Sequence, residues 1–122
     1  MNKLSHADVI NLLCFEFDIA EVLGKGFKDI YNIKKELSDD LLKISADILS
    51  FLKDNVSSEL FSNANSEVEN IYRSPSKYEL ESTLEYDLEC FQLDIEELKS
   101  YQNIKSNKEI MEILERAKQI KI

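Results

Sequence analysis

The clearest structural signal in the chain is the segment LESTLEYDLECFQLDIEEL, residues 80–98. Its large apolar residues recur at intervals of four, four, three, four and three positions, the period of one helix face: Leu80, Leu84, Leu88, Phe91, Ile95 and Leu98. Residues 84–90 also alternate between apolar and polar side chains, so a half-buried strand remains the alternative there. The glutamate content and the lack of a turn signal favour a helix, and Pro75 suits its first turn. We predict one long acidic amphipathic helix near 75–101.

The composition indicates an all-α fold. The 122 residues are 43% hydrophobic and 32% charged, with two glycines and one proline. Such a chain is too apolar to stay disordered and too poor in turn residues for a β-sandwich. Its length is typical of one domain. We predict a single helical domain over 1–122, built as a compact bundle of about five to six helices.

Capping residues and breakers divide the N-terminal half. Ser5 and Asp8 form a capping pair for a first helix that runs to about Leu23 and is apolar on most sides, which predicts the central helix of the bundle. Gly24-Lys25-Gly26 is expected to end it. A short helix over 27–37 and a third helix from a Ser38-Asp39-Asp40 cap to about Lys53 should follow.

Breaker and capping residues also divide the rest of the chain, from residue 54 onward, into helices and loops. Residues 54–66 are rich in Ser and Asn, which predicts a loop that carries one helical turn. Ser66 with Glu69 then resembles a capping box for a short helix. A loop over 103–107 and a final helix capped by Ser106 complete the prediction.

The charge of the chain restricts its partners. Twenty-four acidic residues against 15 basic give a net charge of −9. Phosphate would be repelled, so nucleic acid is a disfavoured partner and a basic protein is favoured, although acidity also serves solubility alone. The N-terminus lacks a signal-peptide pattern and no run approaches about 20 apolar residues, so we expect a cytoplasmic protein with no membrane association.

Acidic residues concentrate in the predicted long helix, where no basic residue occurs between Glu79 and Glu97. Like charges four positions apart destabilise a helix by roughly 0.2–0.5 kcal/mol per pair, so a cationic partner would explain why they are retained. Tyrosines, which often anchor interfaces, interleave with these acids. The alternative is a solvated helix face with tyrosines at the core margin. The candidate partner-binding residues are Tyr78, Glu81, Glu85, Tyr86, Asp87, Glu89, Asp94, Glu96 and Glu97.

No catalytic or metal-binding motif is present in the sequence. His6 is the only histidine and lies about 12 Å along a helix from Cys14, too far to activate its thiol. Cys14 and Cys90 have apolar neighbours and predict buried structural thiols without a disulfide. The carboxylates lack the spacing of di-iron bundles and of EF-hands. Carboxylates do stand three apart in Glu36/Asp39 and Glu109/Glu112, a spacing common by chance, and we predict no catalytic residue, metal or cofactor.

In size, charge and the Glu79–Glu97 cluster with Tyr78 and Tyr86, the chain is similar to the small acidic immunity proteins that bacteria make against their own nuclease toxins. The similarity is one of profile and involves no residue motif. It implies that the acids occupy the phosphate-binding groove of a toxin while tyrosines supply the strongest contacts. We therefore predict an acidic inhibitor of a basic protein partner. The alternatives are a helical adaptor or self-associating protein and, more remotely, a magnesium-dependent nucleotide hydrolase.

Overall fold

The structure is a computed structural model that describes residues 3–72 and 82–121. The described residues form helices and no strand, which confirms the all-α bundle. Residues 84–90 are helical, so the strand alternative is wrong. In chain order the helices are α1 (His6–Phe27), α2 (Lys35–Asn55), α3 (Ser58–Tyr72), α4 (Leu84–Ser100), α5 (Gln102–Lys105) and α6 (Lys108–Lys118).

Helix α1 is the centre of the bundle, as its apolar pattern predicts. It contacts α2, α3 and α4, while α6 closes the core against α2 and α4. Val9, Leu12 and Leu13 have no exposed surface. Glu16 is also buried, and its carboxylate accepts a 2.7 Å hydrogen bond from the Ser45 hydroxyl of α2. This hydrogen bond offsets part of the free-energy cost of burying the Glu16 carboxylate.

The capping box at the start of α1 is confirmed. The Ser5 hydroxyl accepts from the Asp8 backbone N–H at 3.2 Å, and the Asp8 carboxylate accepts from the Ser5 backbone N–H at 2.8 Å. The same carboxylate accepts from the Asn103 side chain at 2.9 Å, which ties α5 to the beginning of α1. Two orphan donors of the first turn are thereby satisfied.

The predicted end of α1 at the two glycines is wrong. The helix continues through Gly24 and Gly26 to Phe27, and neither glycine has a positive φ. The chain turns instead at Asp29, with φ of 59°, a left-handed conformation that Asp tolerates better than most residues. Residues 28–34 form a connection, so the short helix predicted over 27–37 is also wrong.

Helices α2 and α3 differ from the prediction at their starts. Lys34 precedes α2 as its cap without a side-chain hydrogen bond, and Ser38-Asp39-Asp40 lies inside the helix. The loop predicted over 54–66 is wrong, because the chain bends only near Ser57 and then forms α3. Ser66 is therefore an interior position, not a cap. Small side chains mark the buried face of α3, where Ala64 and Val68 have no exposed surface.

The predicted long helix is shorter than expected. It begins at Leu84, because Thr83 is an N-cap whose hydroxyl accepts from the Tyr86 backbone N–H at 3.1 Å. A continuous helix from 75 through this point is therefore wrong, and the part predicted over 75–81 lies outside the described residues. Helix α5 replaces most of the predicted 103–107 loop. Asn107, not Ser106, caps α6 by accepting from the Ile110 backbone N–H at 3.1 Å.

Across residues 3–72 and 82–121, none of the helices combines the length and apolar character needed to cross a membrane.

Candidate functional site

The apolar face of α4 points into the core and leaves its acidic residues outside. Leu88, Phe91, Ile95 and Leu98 are buried, as the spacing predicts. The residues on the opposite side are exposed, and we call them the acidic α4 face: Glu85, Tyr86, Glu89, Glu96 and Glu97. Of the other predicted site residues, Tyr78 and Glu81 lie outside the described residues. Asp87 and Asp94 are half-buried and turn toward α1.

A groove runs between α1 and α4, which are antiparallel. Asn11 and Cys14 lie opposite Glu97 and Tyr101 at one end. At the other end the Lys25 side chain reaches Ser82 of the segment just before α4, with Nζ 3.2 Å from its hydroxyl oxygen. We call this feature the α1–α4 groove. It lies directly beside the acidic α4 face, because Tyr86 and Glu97 line both.

The α1–α4 groove contains two adjoining cavities of about 130 and 320 Å³. Asp18 and Asp94 line both cavities and so mark their junction. The walls are partly apolar, and the rings of Phe15 and Phe91 pack edge to face with centroids 5.8 Å apart. The groove therefore combines carboxylates with aromatic and aliphatic surface.

Each wall of the groove carries a row of polar residues at intervals of three and four. The α4 row includes predicted site residues, whereas sequence reasoning missed the α1 row. The α1 row is visible in the sequence as polar positions within an otherwise apolar helix, but the prediction of a central helix rests on the apolar residues alone. The rows are Asn11, Cys14, Asp18, Glu21 and Lys25 on α1, and Asp87, Cys90, Asp94, Glu97 and Tyr101 on α4.

Asp18 is the most perturbed carboxyl group of the groove. Burial raises its pKa, and the nearby carboxylates of Asp94, Glu21 and Asp87 add to the rise. A hydrogen bond from the Tyr72 hydroxyl, 2.8 Å from Asp18 Oδ1, opposes them, and the resulting pKa is about 6. Burial, followed by the charge of Glu97, also raises the pKa of Asp94. Ionisation of the Asp18 and Asp94 carboxyl groups is therefore disfavoured relative to exposed carboxyl groups.

Both cysteines line this groove and are half-buried. The prediction that they are buried is therefore wrong, since each remains partly accessible from the groove. Burial and the charges of Asp18 and Asp94 raise the pKa of the Cys14 thiol. A thiol with a raised pKa is a poor nucleophile.

Asp87 forms structural contacts at the end of the groove where Lys25 lies. Its carboxylate accepts a 2.6 Å hydrogen bond from the Tyr31 hydroxyl and lies 4.0 Å from Lys25 Nζ. The Tyr31 hydroxyl also lies 2.8 Å from the Ser82 hydroxyl, so the α1–α2 connection is fastened to the start of α4. These contacts make Asp87 a positioning group rather than a free contact for a partner.

The far edge of α4 is neutralised by α6. Lys118 pairs with Glu96 at 2.8 Å, and this hydrogen bond lowers the pKa of Glu96. Lys99 pairs with Glu115 across the same interface. By contrast, no described basic side chain forms an ion pair with Glu85 or Glu89. The uncompensated charge of α4 therefore lies at its N-terminal half and along the groove.

Within the part of the chain that the structure describes, no three His, Cys, Asp or Glu side chains are arranged to hold a metal ion. The pairs Glu36/Asp39 and Glu109/Glu112 are exposed on α2 and α6.

Comparisons with known proteins give no relative. No protein-family model matches the chain, and neither a curated protein nor a solved structure does.

Proposed function

We propose that the protein is an acidic inhibitor that binds and neutralises a basic protein partner, and that this partner is a bacterial nuclease toxin for which the chain acts as the immunity protein. The observation that carries the proposal is an acidic surface on α4 and the adjoining α1–α4 groove in which no described basic side chain forms an ion pair with Glu85, Glu89, Asp94 or Glu97. Complementary charge of this kind steers encounter and suppresses wrong partners. A nuclease active site, which must bind phosphate, offers the opposite charge.

Apolar anchors on the same surface support a protein partner over a small cation. Tyr86 is 59% exposed and Leu93 is 71% exposed, and both project from α4 among its acids. Exposed tyrosine in a charged surround is typical of interface hot spots, because it buries a large apolar area while its hydroxyl stays satisfied. The anchors stand on a helix fixed by four core residues, so binding them would cost little ordering entropy.

A second candidate, self-association or adaptor binding, rests on a different surface. Phe27, the last residue of α1, is 74% exposed, and Ile30 in the turn that follows is 61% exposed. An exposed apolar pair of this kind is a normal feature of dimer contacts. It predicts a concentration-dependent mass that Phe27→Ser lowers, whereas the inhibitor function predicts no such dependence.

The test of the inhibitor function is affinity capture from the source cells, and from cells that express the products of neighbouring genes, at low and high salt. The test variant is Glu85→Lys/Glu89→Lys. Its matched control is Glu36→Lys/Asp40→Lys, because both pairs are exposed, four residues apart and at the second and sixth positions of their helices.

The proposal expects a basic protein that elutes at high salt, is inactive while bound, and is lost with the Glu85/Glu89 variant but not with the control. The proposal would be overturned if the captured partner stayed bound at high salt, or if the Glu85/Glu89 variant and the control bound it equally well.

A further inference from the structure

We propose that the α1–α4 groove is the specificity pocket for an arginine side chain of the basic partner, with the guanidinium placed at the junction marked by Asp18 and Asp94. The inference rests on the proposed function and deepens it, since it names the group that the partner inserts. It concerns the groove, whereas the capture experiment concerns the exposed acids beside it.

The walls of the groove fit an arginine side chain better than a simple cation. Phe15, Val22, Phe91 and Leu98 line the groove with the 2–6% of each residue that is exposed, which gives a narrow apolar edge for the aliphatic stem. The two carboxylates at the junction can accept from the planar fork of guanidinium N–H donors, whereas an ammonium group has three donors and lacks the fork geometry that matches a carboxylate in two places. Charge and shape together favour a side chain that is apolar along its length and cationic at its tip.

The junction carboxylates are available for this role. Tyr72 occupies Oδ1 of Asp18 and holds the side chain in place. Among residues 3–72 and 82–121, no lysine or arginine forms an ion pair with Asp18 or Asp94. Because both groups are half-buried, salt screens their attraction for a cation less than it screens the exposed Glu85 and Glu89.

The protonation state of Asp18 gives a second way to detect an arginine bound in the groove. The titratable groups that share the cavities with Asp18 or bind it are Cys14, Glu21 and Lys25 on its own helix, Tyr72 of α3, and Tyr86, Asp87, Cys90, Asp94, Glu97 and Tyr101 of α4. Its pKa of about 6 leaves the carboxyl partly protonated near that pH. A guanidinium inserted beside it would lower the pKa, so binding would release a proton and strengthen as the pH rises from 5 to 7.

The test uses two blocked hexapeptides of equal charge, one alternating Arg with Ala and the other alternating Lys with Ala. Calorimetric titration at pH 6 in two buffers of different ionisation enthalpy gives the affinity and the number of protons released. The groove variant is Asp18→Asn/Asp94→Asn. Its matched control is Asp39→Asn/Asp40→Asn, which removes the same charge from exposed positions of α2.

The inference expects the arginine peptide to bind more tightly than the lysine peptide and to release protons. It expects the groove variant to weaken arginine binding about tenfold, which is the loss of roughly one charge-assisted contact, while the control changes it little.

Equal binding of both peptides, lost on Glu85→Lys/Glu89→Lys but unchanged in the groove variant, would overturn the pocket and leave the inhibitor function standing. Failure of the arginine peptide to bind at low salt would overturn the pocket too, while the capture experiment would still decide the inhibitor function.

Discussion

The hydroxyl of Tyr72 donates to Asp18 Oδ1 at 2.8 Å, which joins the last residue of α3 to the middle of α1. The Tyr72 ring also stacks on Phe17, with centroids 5.3 Å apart and planes 18° from parallel. One aromatic residue therefore holds α3 against α1 and fixes a carboxylate that lines the α1–α4 groove. The raised pKa of Tyr72, caused first by burial and then by this hydrogen bond, fits its role as a donor.

Replacing Tyr72 with Phe isolates that hydrogen bond. The ring can still stack on Phe17, so the packing is kept while the donor is lost. Because the bond favours the ionised carboxylate, the pKa of Asp18 should rise above about 6. The free energy of unfolding should fall by about 1 kcal/mol. Carboxyl carbon NMR titration and urea unfolding measure the two effects, and an unchanged pKa would show that the hydroxyl does not stabilise the ionised Asp18 carboxylate.

Replacing Asp18 with Asn should make the protein less sensitive to pH. The folded-state pKa of about 6 lies above the ordinary 3.8, so the folded chain keeps a proton that the unfolded chain releases between these values. This contribution to stability is complete below about pH 4 and is lost as the pH rises through about 6. Asn removes the dependence and can still accept from Tyr72.

At pH 7 the Asp18→Asn variant should be the more stable protein by about 1–2 kcal/mol, a value reduced for the solvent that reaches the groove. Urea unfolding from pH 4.5 to 7 measures the difference, with the exposed Asp39→Asn as the control. A gap between variant and parent that stays constant with pH would contradict the assignment of the raised pKa to Asp18.

The two glycines of α1 make a matched pair. A Cβ at Gly24 would meet nothing within 4 Å, whereas a Cβ at Gly26 would lie 2.7 Å from Cδ1 of Ile33. Gly24→Ala should therefore stabilise the protein by roughly 0.5–1 kcal/mol through helix propensity. Gly26→Ala should stabilise it less or not at all, since Ile33 must move. Thermal unfolding compares them, and a larger gain at Gly26 would contradict the packing of Ile33 on the helix.

The sequence was informative where periodicity and capping agree. The buried face of α4 and the Ser5–Asp8 box could be predicted, since each follows from local spacing. The glycine pair at 24–26 was misleading because glycine permits a helix end without requiring one. Only Gly26 leaves room for Ile33, a tertiary contact with no local signal in the sequence, whereas the Cβ position of Gly24 is open.

The candidate site could be predicted only in part, because it depends on how the helices pack against one another. Spacing located the acids of α4, but which of them face α6, α1 or solvent depends on how the helices pack. Glu96 therefore proved to be paired with Lys118, and Asp87 proved to be fastened by Tyr31. The contact between Asp18 and Tyr72 could not be predicted, because the two residues lie 54 positions apart in sequence and meet only when α3 packs on α1.

The central claim, that the acidic α4 face binds a basic protein, is tested most directly by the salt dependence of affinity for the purified captured partner. We predict that the dissociation constant rises steeply with sodium chloride, and that Glu85→Lys/Glu89→Lys weakens binding and flattens the slope while Glu36→Lys/Asp40→Lys changes neither. An affinity that is independent of salt, or that both variants reduce to the same extent, would contradict the claim.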